Sequence, residues 1–164
     1  MHGASHQAPQ VFQVMVDRYV ADRDIQRVKL RFYANEYIEQ MAVEDRRVDT
    51  GWIRLATRET TLVDLAVHPD EAGGLSNVAT ITAEIGDLDV PALAHLARLR
   101  SRSVARHLGW LLDEFRRDLE FEPLREVALA RSGYPTRLVR ALTARGQVDR
   151  RWNLQVNSEV EPDL

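Results

Sequence analysis

The segment from Thr57 to Val78 constrains the fold more than any other part of the chain. Thr57 is placed to cap a helix, and Leu62, Leu65 and Ala66 recur at the spacing of a single helical face. Pro69 limits the extension of that helix, and Gly73-Gly74 marks the turn into a second one beginning near Leu75. The segment therefore reads as two helices in succession. No residue within it marks a reaction centre.

The chain before this segment reads as sheet. Val11 to Val16 is an almost continuous apolar run, and Val28, Leu30 and Phe32 alternate with Lys29, Arg31 and Tyr33, as in a half-buried strand. Val43 to Val48 and Trp52 to Leu55 flank Asp49-Thr50-Gly51, a short hairpin turn. The chain beyond Gly74 reads as helix: Leu75 to Ile85, Pro91 to Arg100, Ser101 or Ser103 to Phe115, and Pro123 to Arg131. In the fourth helix Val104, Leu108, Leu111, Leu112 and Phe115 share one face, which should dock on the core. Gly109 inside that helix costs about 0.5–1 kcal/mol relative to Ala, which close approach by another backbone, or an undemanding surface position, would explain. Near the end Trp152, Leu154 and Val156 alternate with Arg151, Asn153 and Gln155, the pattern of a final strand. The expected architecture is a single α+β domain over residues 1–164. It has a small, mainly antiparallel N-terminal sheet, four to five helices packed on it, and a C-terminal strand returning to the sheet.

The 164 residues suffice for one ordinary core, and 45% hydrophobic with 29% charged residues is globular composition. The chain has no Cys, so disulfides, thiolate zinc sites and cysteine nucleophiles are excluded. No apolar run approaches the ~20 residues that cross a bilayer, and a soluble, cytoplasmic protein is expected. A formal charge of −3 argues against a surface that is basic throughout, while leaving room for a local basic patch.

Thr57 to Val78 also resembles the helical core of the AbiEi family of antitoxins. There a Glu-Arg-Thr-like triplet, a Leu-Val-Asp-Leu run, a downstream Pro and a Gly-Gly-Leu recur in that order, matched here by Glu59-Thr60-Thr61, Leu62-Val63-Asp64-Leu65, Pro69 and Gly73-Gly74-Leu75. The triplet lacks the usual central Arg. Three further stretches are similar: His2 to Val14 to the segment entering the family's C-terminal domain, His107 to Asp113 to its Arg-Leu-Gly-Tyr-Leu-Leu-Glu helix, and Arg151 to Asn157 to its closing Trp and Asn strand. The resemblance implies structural roles for Glu59, Thr60, Asp64, Pro69, Gly73, Gly74, Gly109, Trp152 and Asn157. Members of the family usually join an N-terminal winged helix that binds promoter DNA to a C-terminal domain that neutralises a nucleotidyltransferase-like toxin. This chain matches only the second part, as a truncated form or as a natural single-domain member.

The sharpest charge feature is Arg98, Arg100, Arg102 and Arg106, with no acid between them. Such a patch could hold a phosphate backbone, an acidic toxin face or a nucleotide's phosphates. The plainer reading is a solvated junction between helices whose charges pair with Asp113, Glu114, Asp118, Glu120 and Glu122. Trp52, Trp110 and Trp152 could anchor an interface, although core packing is the default for each. Trp110 is the best interface candidate because it falls off the apolar stripe of its helix. His2 and His6 have the i, i+4 spacing of metal ligands but no third ligand nearby, so a frayed terminus is the simpler account. His68 lies at a helix end, where a capping or dipole role fits better than catalysis. Glu59 and Asp64 stand about 140° apart on an ideal helix and cannot converge as an acid-base pair. Glu59 is expected to interact with the N-terminal helix charge, and Asp64 with a neighbouring donor or solvent.

The chain lacks Walker, Gly-x-Gly-x-x-Gly, His-Glu-x-x-His and Gly-x-Ser-x-Gly motifs, and no catalytic residue, metal or cofactor is expected. The expected function is that of a type IV antitoxin module acting on a nucleotidyltransferase-like toxin, by direct binding or by indirect antagonism. The alternative is a transcriptional regulator module that binds DNA or RNA through Arg98 to Arg106. No membrane partner is expected, and the oligomeric state is left open.

Overall fold

The computed structural model describes residues 10–117, 120–131 and 133–162. The chain divides into two compact units, Met1–Met41 and Ala42–Leu164.

The first unit holds a three-stranded sheet of β1 (Gln10–Val16), β2 (Arg23–Ile25) and β3 (Val28–Ala34), in the order β1-β3-β2. β2 and β3 form a tight antiparallel hairpin in which Ile25 opposes Val28 and Gln26 adopts φ 55°. The chain reverses once between β1 and β2 and again at that hairpin, so β1 and β3, the two longest strands, run parallel, from Gln10 opposite Val28 to Val16 opposite Ala34. The expected antiparallel arrangement therefore holds for β2–β3 and not for β1–β3. β2 has no apolar alternation to betray it. It is fixed by Arg31 on β3, whose guanidinium donates to Asp24 at 2.8 Å and lies 3.5 Å from Asp22, while Asp22 accepts the Phe32 backbone N–H at 3.1 Å.

The second unit opens with the antiparallel ribbon of β4 (Val43–Val48) and β5 (Gly51–Ala56), whose register places Asp49 and Thr50 at the tip. Five helices come next: α1 (Arg58–Val67), α2 (Leu75–Glu84), α3 (Val90–Arg100), α4 (Arg102–Phe115) and α5 (Glu122–Leu129). Three of their starts, those of α1, α3 and α4, are set by side chains that satisfy first-turn amides, which have no intrahelical partner. Thr57 accepts from Thr60 N–H at 3.3 Å, Asp89 from Ala92 N–H at 2.9 Å, and Ser101 from Val104 N–H at 3.3 Å. Between α1 and α2, Gly73 and Gly74 take φ of 84° and 96°, conformations that L side chains resist, and Gly74 N–H closes the turn onto the Pro69 carbonyl at 2.8 Å.

α4 is the hub: α1, α2, α3, α5 and β8 (Leu154–Val156) all pack against it. Leu62, Val78, Leu93, Leu108, Leu111, Leu112, Leu124, Trp152 and Leu154 are fully buried around it. The unit closes with a third sheet of β6 (Thr136–Arg137), β7 (Gln147–Asp149) and β8, ordered β6-β8-β7, with β6 parallel and β7 antiparallel to β8. Among the described residues the closing strand thus builds its own sheet against α4 and does not pair with the early strands. The α+β class is as expected, with sheet at the N-terminus, five helices in the middle and strands at the C-terminus.

Candidate partner interface

The four arginines lie at the elbow between α3 and α4. Ser101 ends one helix and begins the next: its backbone N–H donates to the Ala97 carbonyl at 3.0 Å, and its hydroxyl accepts from Val104 N–H. Arg98 and Arg100 fall in the last turn of α3, where a cation suits the negative end of the helix dipole. Arg98 is exposed; Arg100 is half-buried and acts electrostatically on Asp64.

The two arginines of α4 are engaged with α5. Arg106 is buried, with its Nε donating to the Ala128 carbonyl and its Nη1 to the Tyr134 carbonyl and Thr136 hydroxyl, each at 3.0 Å. Arg102 donates to the Arg131 carbonyl at 2.9 Å. These two guanidiniums satisfy carbonyls at and just beyond the C-terminal end of α5, which the helix cannot satisfy itself. The patch therefore offers solvent Arg98 and parts of Arg100 and Arg102, while Arg106 is a buried clasp. Of the acids expected to neutralise the patch, Asp113 pairs with Arg151 at 3.1 Å and Glu122 with Arg125 at 2.9 Å. Asp118 lies outside the described residues.

The tryptophans sort differently from the expectation. Trp152 is fully buried and Trp110 is 7% exposed, but Trp52 is 69% exposed, opposite Arg47 on the β4–β5 ribbon. Trp110 falls off the apolar stripe as expected, yet the C-terminal sheet and Phe115 cover it, the two rings meeting edge-on with centroids 6.4 Å apart. Its remaining edge borders a groove of about 710 Å³, lined also by Glu114, Arg145 and Val148.

Several family-motif residues have distinct structural contacts. Thr60 donates its buried hydroxyl to the Ala42 carbonyl at 2.8 Å, tying α1 to the start of the ribbon. Glu59 accepts the Asp89 backbone N–H at 2.9 Å, and so braces the residue that caps α3. Gly109 gives way to a side chain and not to a backbone: a Cβ there would overlap Cε3 and Cζ3 of Trp152. The Trp152 indole N–H donates to Asp113, which Arg151 also pairs with. Asn157 clasps a loop, accepting the Val139 N–H at 2.9 Å and donating to the carbonyls of Val139 at 2.9 Å and Thr143 at 3.1 Å. The sequence alone did not single out Arg116, which is 9% exposed and donates to the Gly86 carbonyl at 2.7 Å. A buried arginine carries no periodic signal that separates it from a surface one.

The titratable groups do not converge. Glu59 faces the start of α3. Burial pushes the Asp64 carboxyl up to about 6, partly offset by the positive charge of Arg100. The Oδ1 of Asp64 has no hydrogen-bond partner among the described residues. His68 caps the end of α1, its backbone N–H donating to the Asp64 carbonyl at 2.9 Å, and its ring lies 4.0 Å from Glu71. Burial lowers the His107 pKa, partly offset by its hydrogen bond to the Arg137 carbonyl at 3.0 Å. His2 and His6 lie outside the described residues. Among the described residues no group of three or more His, Asp or Glu is placed to hold a metal ion, and no helix is long and apolar enough to cross a membrane.

Fold and site together define a helical α+β domain whose α3–α4 elbow and β4–β5 ribbon present arginines and one tryptophan to solvent. A family model for the AbiEi antitoxin C-terminal domain matches residues 1–114, and the chain belongs to that family of antitoxins. The match ends within α4, so the likeness of Arg151 to Asn157 to the family's closing strand lies beyond it. No curated protein and no solved structure matches the chain.

Proposed function

We propose that the protein is the antitoxin of a type IV toxin–antitoxin pair and restrains a nucleotidyltransferase-like toxin by binding it. Family membership over residues 1–114 carries this reading. The elbow supports it in detail, because exposed arginines beside a rigid helix junction are suited to steer and orient an acidic partner surface. Co-expression with a nucleotidyltransferase-like toxin taken from the neighbouring reading frame is the test. Growth should be rescued, and the two proteins should co-purify. Arg98→Glu with Arg102→Glu should weaken both effects while helix content stays at the wild-type level. Failure to rescue removes the antitoxin reading, and rescue without a complex replaces binding with antagonism at a shared target.

A second reading, nucleic-acid binding by the elbow, draws on Arg98, Arg100 and Arg102, since Arg106 is buried. Counterion release then requires DNA or RNA affinity to fall steeply with salt and to weaken on Arg100→Ala and Arg102→Ala. Salt-insensitive binding, or none, rejects it.

A further inference from the structure

The two longest acid-free stretches of the chain are residues 90–112 and 127–148. Together they hold eight of the 22 Lys and Arg residues, all of them arginine, and none of the 25 acids. Packing of α4 against the segment after α5 brings the two stretches together. Arg102 donates to the Arg131 carbonyl at 2.9 Å, Arg106 to the Tyr134 carbonyl at 3.0 Å, and His107 is hydrogen-bonded to the Arg137 carbonyl at 3.0 Å. Arg140 is close enough to act electrostatically on that histidine. Residues 131–137 thus run alongside α4 from Arg102 to His107, about 7.5 Å of helix axis. Arg131, Arg137 and Arg140 thereby extend the elbow surface of Arg98 and Arg102, and all five are exposed. Among the described residues none of the five forms a salt bridge. Arg102 uses one N–H on the Arg131 carbonyl and Arg137 one on the Leu142 carbonyl at 2.8 Å, which fixes both side chains and leaves most of each five-donor fork for an anion.

The same segment presents an aromatic ring. Tyr134 is 95% exposed, yet its backbone is pinned. The Gly133 carbonyl accepts from Asn153 Nδ2 at 3.0 Å, the Tyr134 carbonyl accepts from Arg106, and the Thr136 N–H donates to the Asn153 carbonyl at 3.1 Å. Pro135 fixes the intervening φ. We infer that this surface binds a single-stranded nucleic acid, with phosphates on Arg98, Arg102, Arg131 and Arg140 and an unpaired base stacked on Tyr134. The inference rests on the nucleic-acid reading of the elbow and extends it to residues beyond 114, outside the family match. Charge alone suits a duplex at least as well, since a duplex carries the denser phosphates. The ring selects the single strand, because paired bases stack on one another while an unpaired base offers its face to an aromatic side chain. A protein interface would surround such a ring with apolar neighbours and deplete charge at its centre; here arginines flank it.

Fluorescence anisotropy of the full chain with labelled oligo(U) and oligo(dT) of about 10 nucleotides tests this. Both should bind in the micromolar range at about 50 mM salt, and a duplex of equal length should bind more weakly. Tyr134→Ala should weaken single-strand binding about 5- to 150-fold, the loss expected for one stacked base. Tyr134→Trp should preserve it, with fluorescence quenched on binding beyond the wild-type change. Arg131→Ala with Arg140→Ala should flatten the slope of log Kd against log salt by about 1.4. Binding of either oligomer with these sensitivities supports the inference, and the ratio of the two affinities tells RNA from DNA. No binding of either overturns both the inference and the elbow reading. Binding that weakens on Arg100→Ala and Arg102→Ala but ignores Tyr134→Ala, or that favours the duplex, overturns the inference and leaves the elbow reading standing. Release of a co-purifying toxin by Arg131→Ala with Arg140→Ala, without nucleic-acid binding, makes the surface a protein interface and also overturns it. Should Tyr134→Ala lose the wild-type circular dichroism, the Tyr134→Trp fluorescence decides, and unchanged emission refutes stacking.

Discussion

Replacing Gly109 by alanine should destabilise this protein, although the same change in an ordinary helix interior stabilises by about 0.5–1 kcal/mol. The added Cβ would overlap the ring of Trp152, a fully buried side chain and not the free end of a flexible one. Overpacking of this kind costs about 1–3 kcal/mol. The ring can move only by drawing its indole N–H away from Asp113, and a hydrogen bond to a charged acceptor contributes about 1.5–3 kcal/mol. Adding both costs and subtracting the helical gain leaves a loss of about 2–5 kcal/mol. At about 2–4 °C per kcal/mol for a chain of this size, the midpoint of thermal unfolding should fall by about 4–20 °C. Circular dichroism at 222 nm measures it directly. In a Trp152→Leu background, where the ring is gone, the sign should reverse and Gly109→Ala should stabilise modestly. A Gly109→Ala protein as stable as wild type, or the same loss in both backgrounds, would refute the role given to Trp152.

Single side chains elsewhere give further outcomes. Arg106→Met should cost about 2–4 kcal/mol, because it leaves the buried carbonyl of Ala128 and the part-buried oxygens of Tyr134 and Thr136 without their donor; Arg98→Ala, by contrast, should stay within ~0.5 kcal/mol in urea titration. Asn157→Asp keeps the shape but turns a donor toward the Val139 and Thr143 carbonyls into an acceptor. It should cost about 1–3 kcal/mol and speed hydrogen exchange at Val139. For Asp64, a folded-state value of about 6 stands above the 3.8 of a free aspartate. The native state therefore holds the extra proton between those values, and this group's contribution is full below pH 3.8 and declines as pH rises through 6. His107, lowered by burial, acts in the opposite sense across neighbouring pH. The informative quantity is thus the difference between wild type and Asp64→Asn. The variant should gain stability relative to wild type from pH 4 to pH 7, and a pH-independent difference would contradict the buried carboxylate.

Much of the backbone plan is local and was legible in the chain. The sequence identifies Thr57 as a cap and Ser101 as one of two candidate helix starts, and both cap helices through hydroxyls set three residues before the amides they satisfy. Asp89 does the same for α3, one residue before the cap position that a start at Pro91 implies. Gly73 and Gly74 turn the chain through positive φ, and the apolar spacing within each helix gives its inward face. These effects act over one or two turns, so the order of residues determines them. The charge-free β1 and the clustering of Arg98 to Arg106 are likewise properties of the sequence.

Tertiary structure decided which of those residues still face solvent. The apolar stripe of α4 covers one face, yet packing from several sides also buries Arg106 and Trp110, which the helical period assigns to the outside. Trp52 and Trp152 both sit in or beside short strands, and only the sheets they join make one 69% exposed and the other fully buried. The parallel pairing of β1 with β3 and the separate C-terminal sheet depend on which strand edges meet in space. Strand pairing and the covering of a second face arise from contacts between residues distant along the chain; a period of 2 or 3.6 marks only the one face that is apolar.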